Sequence, residues 1–137
     1  AAAAAAVQSV FAHGHLPSAL EIADRFTLEA ARRHAGGDAI IPPGEAHVLV
    51  EIDGQIAAVK EEACDLHGLL TAAGAVSVES ANTEEGCEAL WALRRTFSAS
   101  LKATGLKKLN EDIAVPRGKL VELVRFGEEL GRDYGVP

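Results

Sequence analysis

Apolar and polar residues follow one another along this chain at spacings that predict alternating helices and strands. The stretch AHVLVEIDG (46–54) alternates apolar with polar residues and is rich in Val and Ile, so it predicts a strand with one buried face. Shorter stretches of the same kind predict a short strand or extended segment at 19–24 and further strands at 75–80 and 107–116. Helical periodicity, with glycine or proline near several ends, predicts helices at 1–13, 24–37, 55–74, from Asn82 or Thr83 to about 101, and from Pro116 to about 134.

Two architectures are compatible with this order of elements. One is a doubly wound parallel sheet, and the other is an antiparallel sheet with helices on one face. The strands are short, there is no Gly-rich phosphate loop, and the alternating pattern suits a sheet that is exposed on one side. We therefore predict an α+β fold, an antiparallel sheet flanked by helices, formed by residues 1–137 as a single domain.

The helix EALWALRRTFSASL carries polar side chains beside its apolar stripe. At about 100° per residue, Arg94 and Ser98 lie on the flank of that stripe, one turn apart, whereas Arg95 points toward solvent. A half-buried guanidinium on such a flank can bind a carboxylate through two parallel hydrogen bonds. The stripe itself consists of Leu90, Leu93, Phe97 and Leu101.

The strand predicted next in the chain, KKLNEDIAVP, is unusually polar at its start. Its period of two places Lys108, Asn110 and Asp112 on one face. If that face meets the flank of the preceding helix, the two elements form an anion-binding site. The competing interpretation is that Arg94 only pairs with Glu111 or Asp112 and that Lys108 is a solvated charge at a sheet edge.

Composition narrows the class of protein. With 20 acidic and 13 basic residues the net charge is −7, which argues against a nucleic-acid-binding protein. No apolar run approaches the roughly 20 residues that span a bilayer. Cys64 and Cys87 have no metal-binding spacing, so we expect two reduced thiols in a cytoplasmic protein. His13 and His15 have no third ligand near them in sequence, and we expect no metal site there.

Three longer stretches occur in an informative order. They are GHLPSALEIADRFTLEA, IPPGEAHVLVEIDG and LWALRRTFSASLKATGLKKLNEDIAVPRGKL. Together they resemble the C-terminal cap region of the FAD-linked oxidases, a family that includes the FAD-linked subunit of glycolate oxidase, D-lactate dehydrogenases and D-2-hydroxyglutarate dehydrogenases.

The resemblance implies a flavoenzyme that oxidises a small 2-hydroxy acid by passing a hydride to FAD. It implies a ferredoxin-like cap domain that covers the substrate, while the FAD is bound mainly by a separate domain of the same polypeptide. No catalytic residue is implied within this chain, and cofactor-binding residues stay unassigned. Glu21 and Asp24 belong to the first stretch but receive no role. The substrate-binding residues that the resemblance implies are Arg94, Ser98, and Lys108 or Asn110.

One departure from the family pattern concerns what the chain lacks. The family's His-x-Gly-Asp-Gly-Asn-x-His motif, which supplies a metal ligand set and a base, should follow a helix end like YGVP, and this sequence stops there. The FAD-binding domain is not present either. We therefore expect a cap-domain fragment that is inactive alone, with FAD, a divalent metal and any partner subunits belonging to the complete enzyme.

Two alternatives stay open at this level. A non-enzymatic α+β ligand-binding or regulatory domain would keep an anion site at Arg94 and need no flavin. A purely structural interaction domain would need only paired surface charges.

Overall fold

The order of helices and strands in the computed structural model, which describes residues 1–34, 41–107 and 112–136, confirms the α+β class. Two strands form an antiparallel sheet, and helices flank it. The elements are α1 (Ala2–Ala12), β1 (Ala19–Ala23), α2 (Arg25–His34), β2 (His47–Glu51), α3 (Ile56–Ala72), α4 (Glu84–Ala103) and α5 (Leu120–Tyr134), the last preceded by a 3-10 turn (Arg117–Lys119).

Local sequence signals account for several of the helix ends. The Thr83 hydroxyl accepts a hydrogen bond from the Gly86 amide at 3.2 Å, so Thr83 is the N-cap of α4, one of the two residues predicted for that place. The helix α5 ends at Gly135, whose φ of 64° lies in the left-handed region that glycine adopts without strain. None of the helices in the described ranges is both long and apolar enough to cross a membrane.

One predicted strand, and the described part of another, are not strands in the structure. Residues 75–80 have no partner, and Val76 is 75% exposed, so the alternating pattern there is not matched by burial. Residues 112–116 are also outside any strand, and Ile113 is 68% exposed. The remainder of that predicted strand, 108–111, lies outside the described residues. A strand needs a neighbouring edge to satisfy its backbone, and sequence alternation does not supply one.

The core lies between α2, α4 and the sheet. Ala23, Leu28, Ala31 and Phe97 form one buried cluster, and Leu28 is only 1% exposed. Small alanines on the inner face of α2 let α4 approach closely.

On the other side of the molecule, α1 ties the start of the chain to α5. Val7 and Val10 of α1 are fully buried. Gln8 Nε2 donates to the Gly118 carbonyl at 2.8 Å, and the Arg117 guanidinium lies 4.6 Å from the centre of the Phe11 ring. These contacts hold the beginning of α5 in a defined place relative to α1.

Candidate functional site

Three side chains of α4, at intervals of three residues, contact one face of the two-stranded sheet. Residues directly opposite each other on antiparallel strands project to the same face, and the register pairs Ala19 with Glu51 and Ala23 with His47. Glu21, two residues from each of these alanines on β1, projects to that face as well. The contacting pairs are Trp91 with Glu51, Arg94 with Glu21, and Phe97 with His47.

The first and third of these contacts fix the orientation of α4. Trp91 Nε1 donates a hydrogen bond to Glu51 Oε2 at 2.6 Å. The Phe97 and His47 rings meet edge to face, with centroids 5.8 Å apart and planes at 79°. Both contacts lie on the same face of α4 as Arg94. They therefore fix the position of the Arg94 guanidinium relative to the sheet.

Arg94 forms an ion pair with Glu21, in which Nε donates to Glu21 Oε2. The two side chains are 39% and 36% exposed, so the pair is neither buried nor fully solvated. Of the two partners that the competing interpretation named for Arg94, Asp112 makes no ion pair with it, and Glu111 lies outside the described residues. Within the described chain, Nε is the only nitrogen of Arg94 that makes a hydrogen bond.

An open cleft of about 1450 Å³ lies beside this ion pair. Arg94 and Ser98 both line it, one turn apart on α4, as the helical periodicity predicts. Arg95 is exposed and pairs with Glu88 on the solvent side, which is also as predicted. The facing wall of the cleft is formed by α5, through Leu120, Val124, Gly127 and Gly131.

The other two predicted site residues, Lys108 and Asn110, lie outside the described residues. The structure therefore brings together two of the four, Arg94 and Ser98. Further residues line the cleft, among them Glu21 and His47 and the charged side chains of Arg25, Glu128 and Arg132.

Asp24, which had no role in the sequence argument, caps α2. Its Oδ1 accepts a hydrogen bond from the Thr27 amide at 2.8 Å, as an aspartate at an N-cap commonly does. This assignment explains its presence in the first stretch without reference to ligand binding.

His47 is half-buried in the cleft wall, and the loss of solvent around its ring lowers its pKa below the ordinary 6.5. A negative charge at Glu79 opposes this shift but does not cancel it. The ring is therefore neutral in the folded protein at pH 7 and offers one donor and one acceptor to the cleft.

This shift predicts a pH dependence of stability. As the pH falls through 6.5, the unfolded chain takes up a proton at His47 while the folded chain does not, so the free energy of unfolding should decrease. Above that pH the residue should contribute nothing to the slope. Urea unfolding at a series of pH values measures the effect, and His47→Gln should reduce the slope in this window. An unchanged slope in His47→Gln would show that the imidazole is not the titrating group.

The N-termini of α2 and α4 do not suit the pyrophosphate of FAD. Binding of a pyrophosphate uses free N–H groups at a helix N-terminus or a Gly-rich loop. The N-terminus of α2 is already capped by Asp24, and that of α4 is capped by Thr83 and carries two glutamates in its first turn.

His13 and His15 do not converge on a common point. His13 Nδ1 lies 2.8 Å from the Ser9 carbonyl oxygen, whereas His15 Nδ1 lies 3.1 Å from Glu62 Oε1. Across residues 1–34, 41–107 and 112–136, no three His, Cys, Asp or Glu side chains form a group that could hold a metal ion.

Comparison with known proteins identifies the family. The chain is 28% identical over 135 residues to glycolate oxidase subunit GlcD of Bacillus subtilis, covering 98% of this chain and 28% of that protein. It is 27% identical over 121 residues to D-lactate dehydrogenase of Archaeoglobus fulgidus, covering 88% of this chain and 26% of that protein. It is 28% identical over 133 residues to glycolate oxidase subunit GlcD of Escherichia coli K12, covering 96% of this chain and 26% of that protein.

The chain thus spans about a quarter of the length of the curated relatives that it matches. The family model described as "FAD linked oxidases, C-terminal domain" matches residues 1–137. A match over the whole chain does not favour the alternative of a non-enzymatic regulatory domain. The chain belongs to the FAD-linked oxidases, a family of flavin-dependent oxidoreductases, and corresponds to their C-terminal domain.

Proposed function

We propose that this chain is the substrate cap of an FAD-dependent 2-hydroxy-acid oxidoreductase and that Arg94 binds the substrate carboxylate. The proposal rests on the hydrogen bonds that the Arg94 guanidinium makes and on its place beside the cleft. It lines an open cleft and is held through Nε by Glu21, and neither terminal nitrogen is hydrogen-bonded within the described residues. Those two nitrogens form a planar edge that matches the two oxygens of a carboxylate.

The names of the relatives support a carboxylate as the recognised group. Glycolate and D-lactate, the compounds in those names, are both small 2-hydroxy acids with one carboxylate. They differ in the rest of the molecule, so the carboxylate and the hydroxyl are what a common site can recognise. An arginine that binds two oxygens fixes the plane of the carboxylate and, through it, the direction of the neighbouring C–H bond.

Ser98 supplies the second polar group of the proposed site. It lies one turn after Arg94 on the same cleft wall, so its hydroxyl can hydrogen-bond an oxygen of the same substrate. We propose Lys108 or Asn110 as a third contact, on the resemblance to the family alone. FAD, when bound to the complete enzyme, accepts the hydride.

We infer that the FAD is bound by another segment of the same polypeptide and that the 137 residues form the cap by themselves. The relatives are several times longer than this chain, which leaves room for such a domain. An exposed apolar stripe at intervals of four residues on α5 supports packing of a further segment there. The stripe consists of Phe126, 56% exposed, Leu130, 38%, and Tyr134, 76%. We also propose that a divalent metal, if the complete enzyme uses one, is bound in the part that carries the family's His-rich motif.

The isolated chain should bind no FAD and have no oxidase activity. The sequence has no dinucleotide-binding Gly pattern, and the N-termini of α2 and α4 are capped by side chains of this chain, so a preparation incubated with FAD and then desalted should show no flavin absorbance. The complete polypeptide, treated in the same way, is the positive control. A stoichiometric flavin spectrum on the 137-residue chain would contradict the proposal that another segment of the polypeptide binds the FAD.

The proposal for Arg94 is tested by steady-state kinetics of Arg94 and Arg95 variants in the complete polypeptide. The two arginines are adjacent on α4 and both form ion pairs, but only Arg94 lines the cleft. A kinetic defect confined to position 94 supports carboxylate binding.

A further inference from the structure

We propose that Glu21 is a positioning residue, which holds the Arg94 guanidinium through Nε so that its two terminal nitrogens face the substrate carboxylate. The inference rests on the function proposed above for Arg94. Glu21 belongs to the first of the three stretches that resemble the family, and neither the sequence argument nor the comparisons give it a role.

Both partners of this ion pair are attached to well-packed parts of the molecule. Glu21 is in the middle of β1, directly opposite Leu49, which is 7% exposed. Arg94 is in the middle of α4, one turn before Phe97, which is 6% exposed in the core cluster. A carboxylate on a paired strand and a guanidinium on a packed helix keep a more defined geometry than residues on loops would.

The hydrogen bond determines which edge of the guanidinium is left for a ligand. An arginine can pair side-on, through Nε and one terminal nitrogen, or end-on, through both terminal nitrogens. Because Glu21 already accepts from Nε, a substrate carboxylate has to approach end-on. The direction of approach is therefore set by the strand residue and by the helix together.

Stabilisation of the fold does not by itself account for this pair. Ion pairs at this degree of exposure contribute little to stability because water screens them. The chain contains a matched comparison in Arg95 and Glu88, an arginine–glutamate pair on the same helix with side chains 53% and 67% exposed. That pair lies on the solvent side of α4, away from the cleft, so Glu88 does not orient a guanidinium toward it.

Substitutions at Glu21 can distinguish the effect of its charge from its effect on the orientation of Arg94. The negative charge of Glu21 weakens the attraction of Arg94 for an anion, so loss of the charge alone should not impair binding. Loss of the acceptor should let the guanidinium rotate and should misplace the substrate. Glu21→Gln removes the charge and keeps an acceptor oxygen, whereas Glu21→Ala removes both.

The test uses the complete polypeptide, with glycolate and D-lactate as substrates and with equal flavin content in every variant. Glu21→Ala should lower kcat/KM by about tenfold, mainly through kcat, because a displaced substrate reacts slowly even when bound. Glu21→Gln should stay within about twofold of the wild type and have an equal or lower KM. Glu21→Asp keeps the charge but shortens the side chain by one methylene, and it should resemble Glu21→Ala. The control Glu88→Ala should have no effect.

The outcomes separate this inference from the function on which it rests. If Arg94→Ala has no kinetic effect, the proposed function fails, and the inference fails with it. If Arg94→Ala is impaired but Glu21→Ala is not, the positioning role alone is overturned. Equal impairment of Glu21→Gln and Glu21→Ala would also overturn it, because charge rather than orientation would then matter. If Glu21→Ala proves unstable by thermal unfolding, the contrast between Glu21→Gln and Glu21→Asp decides in its place.

Discussion

Arg94→Lys in the complete polypeptide should lower kcat/KM by about tenfold to a hundredfold. Lysine keeps the positive charge but loses the planar pair of donors that a carboxylate matches. A hydrogen bond to a charged group contributes about 1.5–3 kcal/mol, and the loss of such a contact in the transition state corresponds to that range of rates. Arg94→Ala should cost more, because it removes the charge as well.

The neighbouring position supplies the control for this result. Arg95 lies on the same helix and is 53% exposed at its pair with Glu88, away from the cleft. Arg95→Ala should therefore leave kcat and KM close to those of the wild type. The measurement is steady-state kinetics with flavin content confirmed equal. Equal defects at positions 94 and 95, or a loss of stability at 94 without a kinetic defect, would show that Arg94 has a structural role only.

Phe97→Ala should lower the free energy of unfolding of the 137-residue chain by about 3–5 kcal/mol. Phe97 is 6% exposed, belongs to the core cluster with Leu28, and makes the edge-to-face contact with His47. Truncation would leave a cavity between α2, α4 and the sheet, which the small alanines around it cannot fill.

The matched control is Phe126→Ala on α5, where the aromatic ring is 56% exposed. This substitution should change the free energy of unfolding by no more than about 0.5 kcal/mol. Urea unfolding can be followed by the fluorescence of Trp91, the only tryptophan in the sequence, which reports on α4 through its contact with Glu51. Similar losses in both variants would mean that Phe97 does not occupy the core described here.

Helical features within one element could be predicted from the sequence because they depend on a regular period and on local hydrogen bonds. The period of α4 placed Arg94 and Ser98 on one flank and Arg95 toward solvent, and the structure agrees. The N-cap at Thr83 could be predicted because a threonine hydroxyl at the start of a helix accepts a hydrogen bond from the backbone amide three residues later, here that of Gly86. The strand predicted at 46–54 from its alternating pattern is observed at His47–Glu51, where Leu49 is buried.

Features that depend on a partner distant in sequence could not be predicted. The alternation at 75–80 resembles that of a strand, but no neighbouring edge pairs with it, and whether one does is decided by the whole fold. The polar strand predicted at 107–116 was wrong at 112–116 for the same reason.

The sequence by itself determined the helices, the antiparallel α+β class and the flank of α4 on which Arg94 lies, since each follows from periodicity or from motifs that resemble one family. Only the tertiary structure decided that Arg94 meets Glu21, which is 73 residues away in the chain. That contact requires the register of β1 against β2 and the crossing of α4 over their shared face. Neither depends on residues near Arg94 in sequence, because strand register and helix packing are set by long-range burial of side chains.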